Sequence, residues 1–176
     1  MADPLIKALD KISKPGTPVA TFLKKLGPIH TKWHTAHNSG TGKSGFLLFH
    51  WELIKRFKAV GGPAHFGAVT PFTTADFVSF SAPYDVNVTV TKKNLVRLEE
   101  FSSDVELWHN NAHMAVGMAF HKNLMNPKTN VRLVQFWKLH YFINDRFEEK
   151  LADFEPGASI SAVVVHVEAG KGATVV

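Results

Sequence analysis

Histidine is the residue type whose placement in this chain points to chemistry. Seven of the ten histidines fall in two clusters, which are His30, His34, His37 and His50 in the first and His109, His113 and His140 in the second. The chain has no cysteine, so any transition-metal site must be built from histidine, carboxylate or backbone oxygen. A site of about six neutral imidazoles with few carboxylates favours copper over calcium, magnesium or iron. The sequence therefore predicts two half-sites for metal, one in each cluster.

The second cluster has the spacing of a metal site carried by two helices. His109 and His113 are four residues apart, so their imidazoles project from one helix face about one turn apart. His140 follows on a second predicted helix, within the apolar and aromatic sequence F-W-K-L-H-Y-F. Burial there penalises a charged histidine, whereas a neutral imidazole bound to a metal suits the site. We expect these three residues to hold one metal ion.

The first cluster offers more histidines than a set of three requires. His30, His34 and His37 lie at i, i+4 and i+7, on one face of a predicted helix. His50 begins the next predicted helix, after a loop rich in glycine and serine. We expect His50 to act with one or two histidines of the first helix, so that three candidates there compete for two ligand places.

Hydrophobic periodicity predicts the elements that must position these histidines. Helices are predicted over residues 30–37, 46–60, 107–120 and 131–154. Gly27-Pro28 is expected to interrupt or end an earlier helix that begins at Thr17-Pro18. We therefore predict a mainly α fold: a four-helix bundle housing a dinuclear metal site, with irregular loops and minor β structure in the C-terminal tail.

Length and composition predict a single domain over residues 1–176, with a core from about 17 to 155 and an extended tail over 156–176. The net charge of +5 comes from lysines and arginines scattered among acidic residues, so we expect no nucleic-acid partner. No apolar run approaches the length of a membrane span, so no membrane partner is expected. The N-terminal sequence lacks the pattern of a secretory signal, which predicts a cytoplasmic location.

The sequences around the histidines resemble those of the type 3 copper proteins, which are the tyrosinases, catechol oxidases and hemocyanins. H-N-N-A-H-M-A-V-G, at 109–117, matches the second-copper motif H-N-x-x-H-x-x-V-G. F-L-L-F-H-W, at 46–51, resembles the F-L-x-W-H-R element that supplies the third ligand of the first copper. F-W-K-L-H with N-D-R-F, within 136–147, resembles the last-ligand helix. The second-copper half of the resemblance is the more specific.

The resemblance implies a short, bacterial-type member of this family that holds two copper ions. For one copper the implied ligands are His30 (or His34), His37 and His50, and for the other His109, His113 and His140. It further implies O₂ as co-substrate and a copper-dependent oxidoreductase that hydroxylates monophenols or oxidises o-diphenols to o-quinones. The implied partner is a small aromatic, phenolic substrate, while a copper-delivery protein and a homo-oligomer stay open.

The resemblance also assigns two catalytic residues. Asn110 matches the amide that helps tyrosinases to orient a water for phenol deprotonation, and Glu99 resembles the carboxylate that partners it. Glu100 is the alternative carboxylate, one residue later. An amide and a carboxylate can hold a water that accepts the phenol proton. Asn110 and Glu99 are therefore the predicted catalytic residues.

Several features depart from the family pattern and bear on the activity: the chain is short, and Leu133-Val134 stand where Asp-Pro usually precedes the last motif. Trp51 stands where arginine usually follows the ligand, and Asn144 stands where aspartate is common. These departures leave two alternatives beside a phenol oxidase. One is a related oxidase of o-aminophenols or arylamines, and the other is a non-catalytic, hemocyanin-like protein that binds O₂ and copper.

Overall fold

The computed structural model describes residues 4–38, 45–84 and 98–154, except for the side chains of 36–38, 84, 98–104, 107 and 150–154. Seven α-helices occur in these ranges: α1 Pro4–Ile12, α2 Val19–Asn38, α3 Phe46–Ala59, α4 Gly62–His65, α5 Thr74–Ser81, α6 Leu98–Ala119 and α7 Val134–Phe154. The described residues contain no strand, which confirms the mainly α expectation for this part of the chain. The β structure predicted in the tail lies outside the described residues.

Helix α2 is longer than the sequence predicts, because Gly27-Pro28 does not interrupt it. Pro28 removes one backbone donor from the helix. One residue before Pro28, the Gly27 carbonyl oxygen accepts a hydrogen bond from the Thr31 hydroxyl at 2.9 Å. A Cβ on residue 27 would lie 2.1 Å from the Lys128 carbonyl oxygen, so glycine allows a later loop to approach closely. The predicted break is wrong, since packing outweighs the local tendency of Gly-Pro to end a helix.

Helix α3 presents an apolar face to the core and ends where the sequence predicts. Phe49, Leu53 and Phe57 are fully buried and repeat every four residues, which is the spacing of one helix face. After Ala59 the chain turns at Gly61, whose φ of +79° is a left-handed conformation that glycine adopts without strain. The predicted helix over 46–60 is thus confirmed.

Helices α6 and α7 carry the second histidine cluster. Helix α6 begins before the predicted residue 107, and α7 begins at Val134, slightly after its predicted start. Trp137 of α7 stacks on Phe57 of α3 with ring centroids 3.6 Å apart. The Trp137 indole N–H also donates to the Val131 carbonyl oxygen at 2.9 Å, which ties the start of α7 to the preceding loop.

The four helices that carry the clustered histidines, α2, α3, α6 and α7, all contribute to one buried hydrophobic core. Its fully buried aromatic side chains include Phe22, Trp33, Phe46, Phe49, Phe136 and Trp137. Helix α1 joins α3 through an ion pair between Asp10 and Arg56, with 2.6 Å between carboxylate oxygen and guanidinium nitrogen. None of the described helices is long and apolar enough to cross a membrane.

Candidate metal centre

Helices α2 and α3 bring three histidines of the first cluster together. The Nε2 atoms of His30 and His34 lie 3.1 Å apart, and those of His30 and His50 lie 3.3 Å apart. His30 and His34 are one helical turn apart on α2, so the helix itself sets their spacing. His30 and His50 are buried, whereas His34 is half-buried. These three residues, the first group, could hold a metal ion.

Helices α6 and α7 bring three histidines of the second cluster together in the same way. The Nε2 atom of His140 lies 3.3 Å from the Nε2 atoms of both His109 and His113. All three side chains are buried. The i, i+4 spacing on α6 places two of the nitrogens, and α7 supplies the third from the facing helix. These residues, the second group, could hold another metal ion.

Backbone carbonyl groups fix the orientation of three of the six imidazoles. The Nδ1 partners are the carbonyl oxygens of Pro127 for His30 at 2.9 Å, Phe46 for His50 at 2.8 Å and Leu124 for His113 at 2.8 Å. A carbonyl oxygen only accepts, so each Nδ1 carries the hydrogen and each Nε2 presents a lone pair. Histidines that bind metals are typically oriented by such partners.

Burial favours the neutral form of five of the six imidazoles. It lowers the pKa of His30, His50, His109 and His140 well below the usual value, and neighbouring histidines lower each pKa further. Burial also lowers the pKa of His113 to about 4. Neutral imidazole is the form that coordinates metal, so these residues are available as ligands in mildly acidic solution.

The contact between His30 and His50 shows why a cation fits. Both residues donate from Nδ1 to a carbonyl, so their Nε2 lone pairs face each other 3.3 Å apart. Two acceptors at this distance repel, and an ion coordinated by both nitrogens removes the repulsion. Metal–nitrogen bonds of about 2.0–2.1 Å at tetrahedral angles place two ligand nitrogens about 3.3–3.4 Å apart. The observed spacing matches that geometry closely.

The two groups are close neighbours. The rings of His50 and His140, one from each group, are stacked with centroids 4.5 Å apart and planes within 9°. His34 and His109 are nearly parallel as well, with centroids 6.5 Å apart. Two ions held by these groups would therefore lie within the same part of the core.

Phe46 contacts both groups. Its ring centroid lies 4.4 Å from that of His50 in the first group and 4.6 Å from that of His109 in the second. The side chain is 1% exposed. Phe46 is also the first residue of α3, and its carbonyl oxygen orients His50. One residue thus positions a ligand and fills space beside both groups.

Five of the six predicted metal ligands lie in the two groups: His30, His50, His109, His113 and His140. The side chain of the sixth, His37, lies outside the described residues, so its assignment stays a prediction. From the sequence, His30 and His34 are alternative ligands of the first metal, whereas in the structure both lie beside His50. The helix spacing allows this result, because residues four apart share a face.

Of the predicted catalytic residues, one has a described side chain. Asn110 follows His109 on α6, and its side chain is exposed. The side chains of Glu99 and Glu100 lie outside the described residues. The pairing of Asn110 with a carboxylate therefore stays a prediction.

The loop between α6 and α7 contains site residues that the sequence did not reveal. Leu124 and Pro127 act through backbone carbonyls, which every residue possesses, so their side chains give no signal. Asn130 is 3% exposed, and its Nδ2 donates to the Leu124 carbonyl oxygen at 2.9 Å. Its Oδ1 is buried and has no hydrogen-bond partner among the described residues. The surrounding sequence N-P-K-T-N predicts only a turn.

Comparisons with known proteins identify no family for this chain. The functional assignment must therefore come from the two histidine groups themselves, from their donor atoms, burial and spacing. No family model, no curated protein and no solved structure matches the chain.

Proposed function

We propose that each histidine group holds one copper ion and that the two ions form a dinuclear centre that activates O₂. The observation that carries this proposal is the pair of buried lone pairs on His30 and His50, which face each other 3.3 Å apart. The stacked contact between His50 and His140, at 4.5 Å, supports two ions held side by side. A four-helix bundle around this centre is part of the same proposal.

Copper is proposed because the donors are imidazoles alone. The chain has no cysteine, and neither group contains a carboxylate among the described residues. Carboxylate and carbonyl oxygens suit magnesium, calcium and manganese, and a mixed histidine and carboxylate set suits non-haem iron. Zinc also binds three imidazoles, but it has no redox chemistry. An experiment must therefore distinguish copper from zinc.

The proposed reaction is oxidation of a phenolic substrate, by o-hydroxylation of a monophenol or by oxidation of an o-diphenol to an o-quinone. Bound copper would supply the electron transfer between the substrate and O₂. The carbonyl partners of His30, His50 and His113 hold these imidazoles in the orientation that coordination needs. Exposed Asn110, with Glu99 as its proposed partner, would orient the water that takes the phenol proton.

Phe46 favours a second candidate function. Its buried ring lies against histidines of both groups, so an aromatic substrate at that position would have to displace it. A small molecule such as O₂ needs less room than a phenol ring. A hemocyanin-like protein that binds O₂ and copper without oxidising phenols is therefore the alternative. A related oxidase of o-aminophenols or arylamines needs the same room as a phenol oxidase.

An optical experiment tests the shared part of these functions. The protein is loaded with copper, reduced anaerobically and exposed to O₂. We expect the strong near-ultraviolet band of an oxygenated copper pair, which zinc cannot produce. His140→Ala should abolish the band, whereas His65→Ala, at an exposed histidine outside both groups, should retain it. Absence of the band from the copper-loaded native protein would refute the proposal.

Turnover then separates the candidates. A monophenol, an o-diphenol and an o-aminophenol are each supplied to the oxygenated protein, and product formation is followed optically. Oxidation of either of the first two supports a phenol oxidase, and preference for the third supports the aminophenol alternative. A protein that shows the band but oxidises none of them is the O₂-binding alternative.

A further inference from the structure

The loop between α6 and α7 contacts both histidine groups. The Leu124 carbonyl oxygen accepts a hydrogen bond from His113, in the second group. The Pro127 carbonyl oxygen accepts one from His30, in the first group. Two carbonyls close together in the sequence thus orient one imidazole of each group. We call residues 124–130 the clamp segment.

Asn130 fixes the geometry of the clamp segment. Its Nδ2 donates to the Leu124 carbonyl oxygen at 2.9 Å, so this oxygen accepts from both Asn130 and His113. Two donors match the two lone pairs of a carbonyl oxygen. The backbone N–H of Asn130 donates to the Asn126 carbonyl oxygen at 2.9 Å and closes a turn around Pro127. Asn130 therefore links the Leu124 carbonyl, through its side chain, to the turn that contains Pro127, through its backbone N–H.

Close backbone contacts seat the loop against α2 and α6. A Cβ on residue 27 of α2 would lie 2.1 Å from the Lys128 carbonyl oxygen. A Cβ on residue 117 of α6 would lie 2.9 Å from the Lys122 carbonyl oxygen, and the Lys122 N–H donates to the Gly117 carbonyl oxygen at 2.9 Å. Glycine at both positions lets the loop reach the histidine-bearing helices directly. A displacement of the loop would therefore move both carbonyl partners.

We propose that Asn130 is a positioning residue for both histidine groups, and that the clamp segment couples the orientation of His30 to that of His113. The presence of ions in these groups rests on the proposed function, whereas the coupling is a property of the metal-free protein as well. Loss of an outer partner of a ligating histidine typically weakens metal binding by about 10–100-fold. Because the segment serves one ligand in each group, loss of the Asn130 amide weakens both groups.

The first test uses the metal-free protein. Nitrogen-15 NMR follows the Nδ1–H protons of His30 and His113, whose exchange with solvent reports their hydrogen bonds to the loop. Asn130→Ala should accelerate exchange of both protons by about tenfold or more, since local opening becomes less costly. Asn123→Ala provides the matched control, because Asn123 is exposed in the same loop and its side chain makes no hydrogen bond or ion pair among the described residues. It should leave both rates unchanged.

A second variant keeps the test decisive if Asn130→Ala does not fold. Asn130→Asp retains the shape of the side chain but replaces the Nδ2 donor with an acceptor that faces the Leu124 carbonyl. It should accelerate exchange of the same two protons. Native rates for both protons in a folded variant would overturn the proposal, and so would acceleration confined to His113.

The second test measures affinity for copper(I) by competition with a chromophoric chelator. Both binding steps should weaken by about 10–100-fold in Asn130→Ala, and neither should change in Asn123→Ala. Weakening of a single step would overturn the coupling. If the native protein binds no copper, the proposed function fails, while the exchange measurement still decides whether Asn130 holds both imidazoles.

Discussion

Acidification of the metal-free protein should unfold it in a pH range set by its buried histidines. His113 has a pKa of about 4 in the folded protein, against the ordinary value of 6.5. Converted at about 1.36 kcal/mol per pH unit, the difference removes about 3 kcal/mol from the free energy of unfolding. His30, His50 and His140, whose pKa values burial also lowers, act in the same direction.

The direction of the change in stability with pH follows from the pH at which each state binds its proton. The unfolded chain protonates His113 near pH 6.5, whereas the folded protein does so near pH 4. The contribution of neutral His113 to stability is therefore fully present above the unfolded pKa. It is lost as the pH falls from about 6.5 to 4 and changes little at lower pH. Because a whole domain is stable by about 5–15 kcal/mol, several such histidines suffice to unfold the metal-free protein in acid.

Urea unfolding followed by circular dichroism measures this loss. Between about pH 6.5 and 5, at about 1.36 kcal/mol per pH unit, His113 alone loses about 2 kcal/mol. With a slope of about 1–3 kcal/mol/M, this loss lowers the urea midpoint by about 0.7–2 M. The titrations are run with a metal chelator at several pH values between about 8 and 5, where the predicted loss begins. His113→Gln removes one titrating group, so its midpoint should fall less steeply with pH. A midpoint that stays constant over this range would refute the burial of neutral histidines.

Three further predictions concern single side chains. Gly27→Ala should destabilise the protein by about 1–3 kcal/mol in urea titrations, because its Cβ would overlap the Lys128 carbonyl oxygen; unchanged stability would contradict the close approach. Phe46→Leu should increase turnover of o-diphenols by about tenfold in steady-state kinetics, a change of about 1.4 kcal/mol in the barrier, because the smaller side chain leaves room beside both groups; unchanged turnover would show that the ring does not restrict access. Asn110→Ala should lower kcat for monophenols by about 100-fold and spare o-diphenols, whereas equal losses would argue against its role in deprotonation.

Periodicity and spacing predicted the second group well. His109 and His113 lie one turn apart on a helix, and that distance depends only on helix geometry. His140 lies in an apolar, aromatic helix that had to be buried, which limits the directions in which its imidazole can point. Local pattern was sufficient here because two of the three ligands lie on one element.

The geometry of the first group could not be predicted in full from the sequence, because it depends on tertiary contacts. The sequence could not choose between His30 and His34, since one helix face serves both, and the predicted break at Gly27-Pro28 was wrong. The loop packs against Gly27 through Lys128, which lies just over a hundred residues later in the chain, and local propensity carries no information about such a contact. The carbonyl partners at Leu124 and Pro127 come from that loop, and side-chain patterns carry no information about backbone acceptors.

The number of copper ions bound per chain shows whether both histidine groups hold a metal ion. Copper-loaded protein is separated from free ions by gel filtration, and its copper and zinc contents are measured by elemental analysis. We expect two copper ions per native chain, about one after His140→Ala, and two after His65→Ala, whose histidine is exposed outside both groups. A native chain that retains no copper, or a stoichiometry that His140→Ala leaves unchanged, would contradict this expectation.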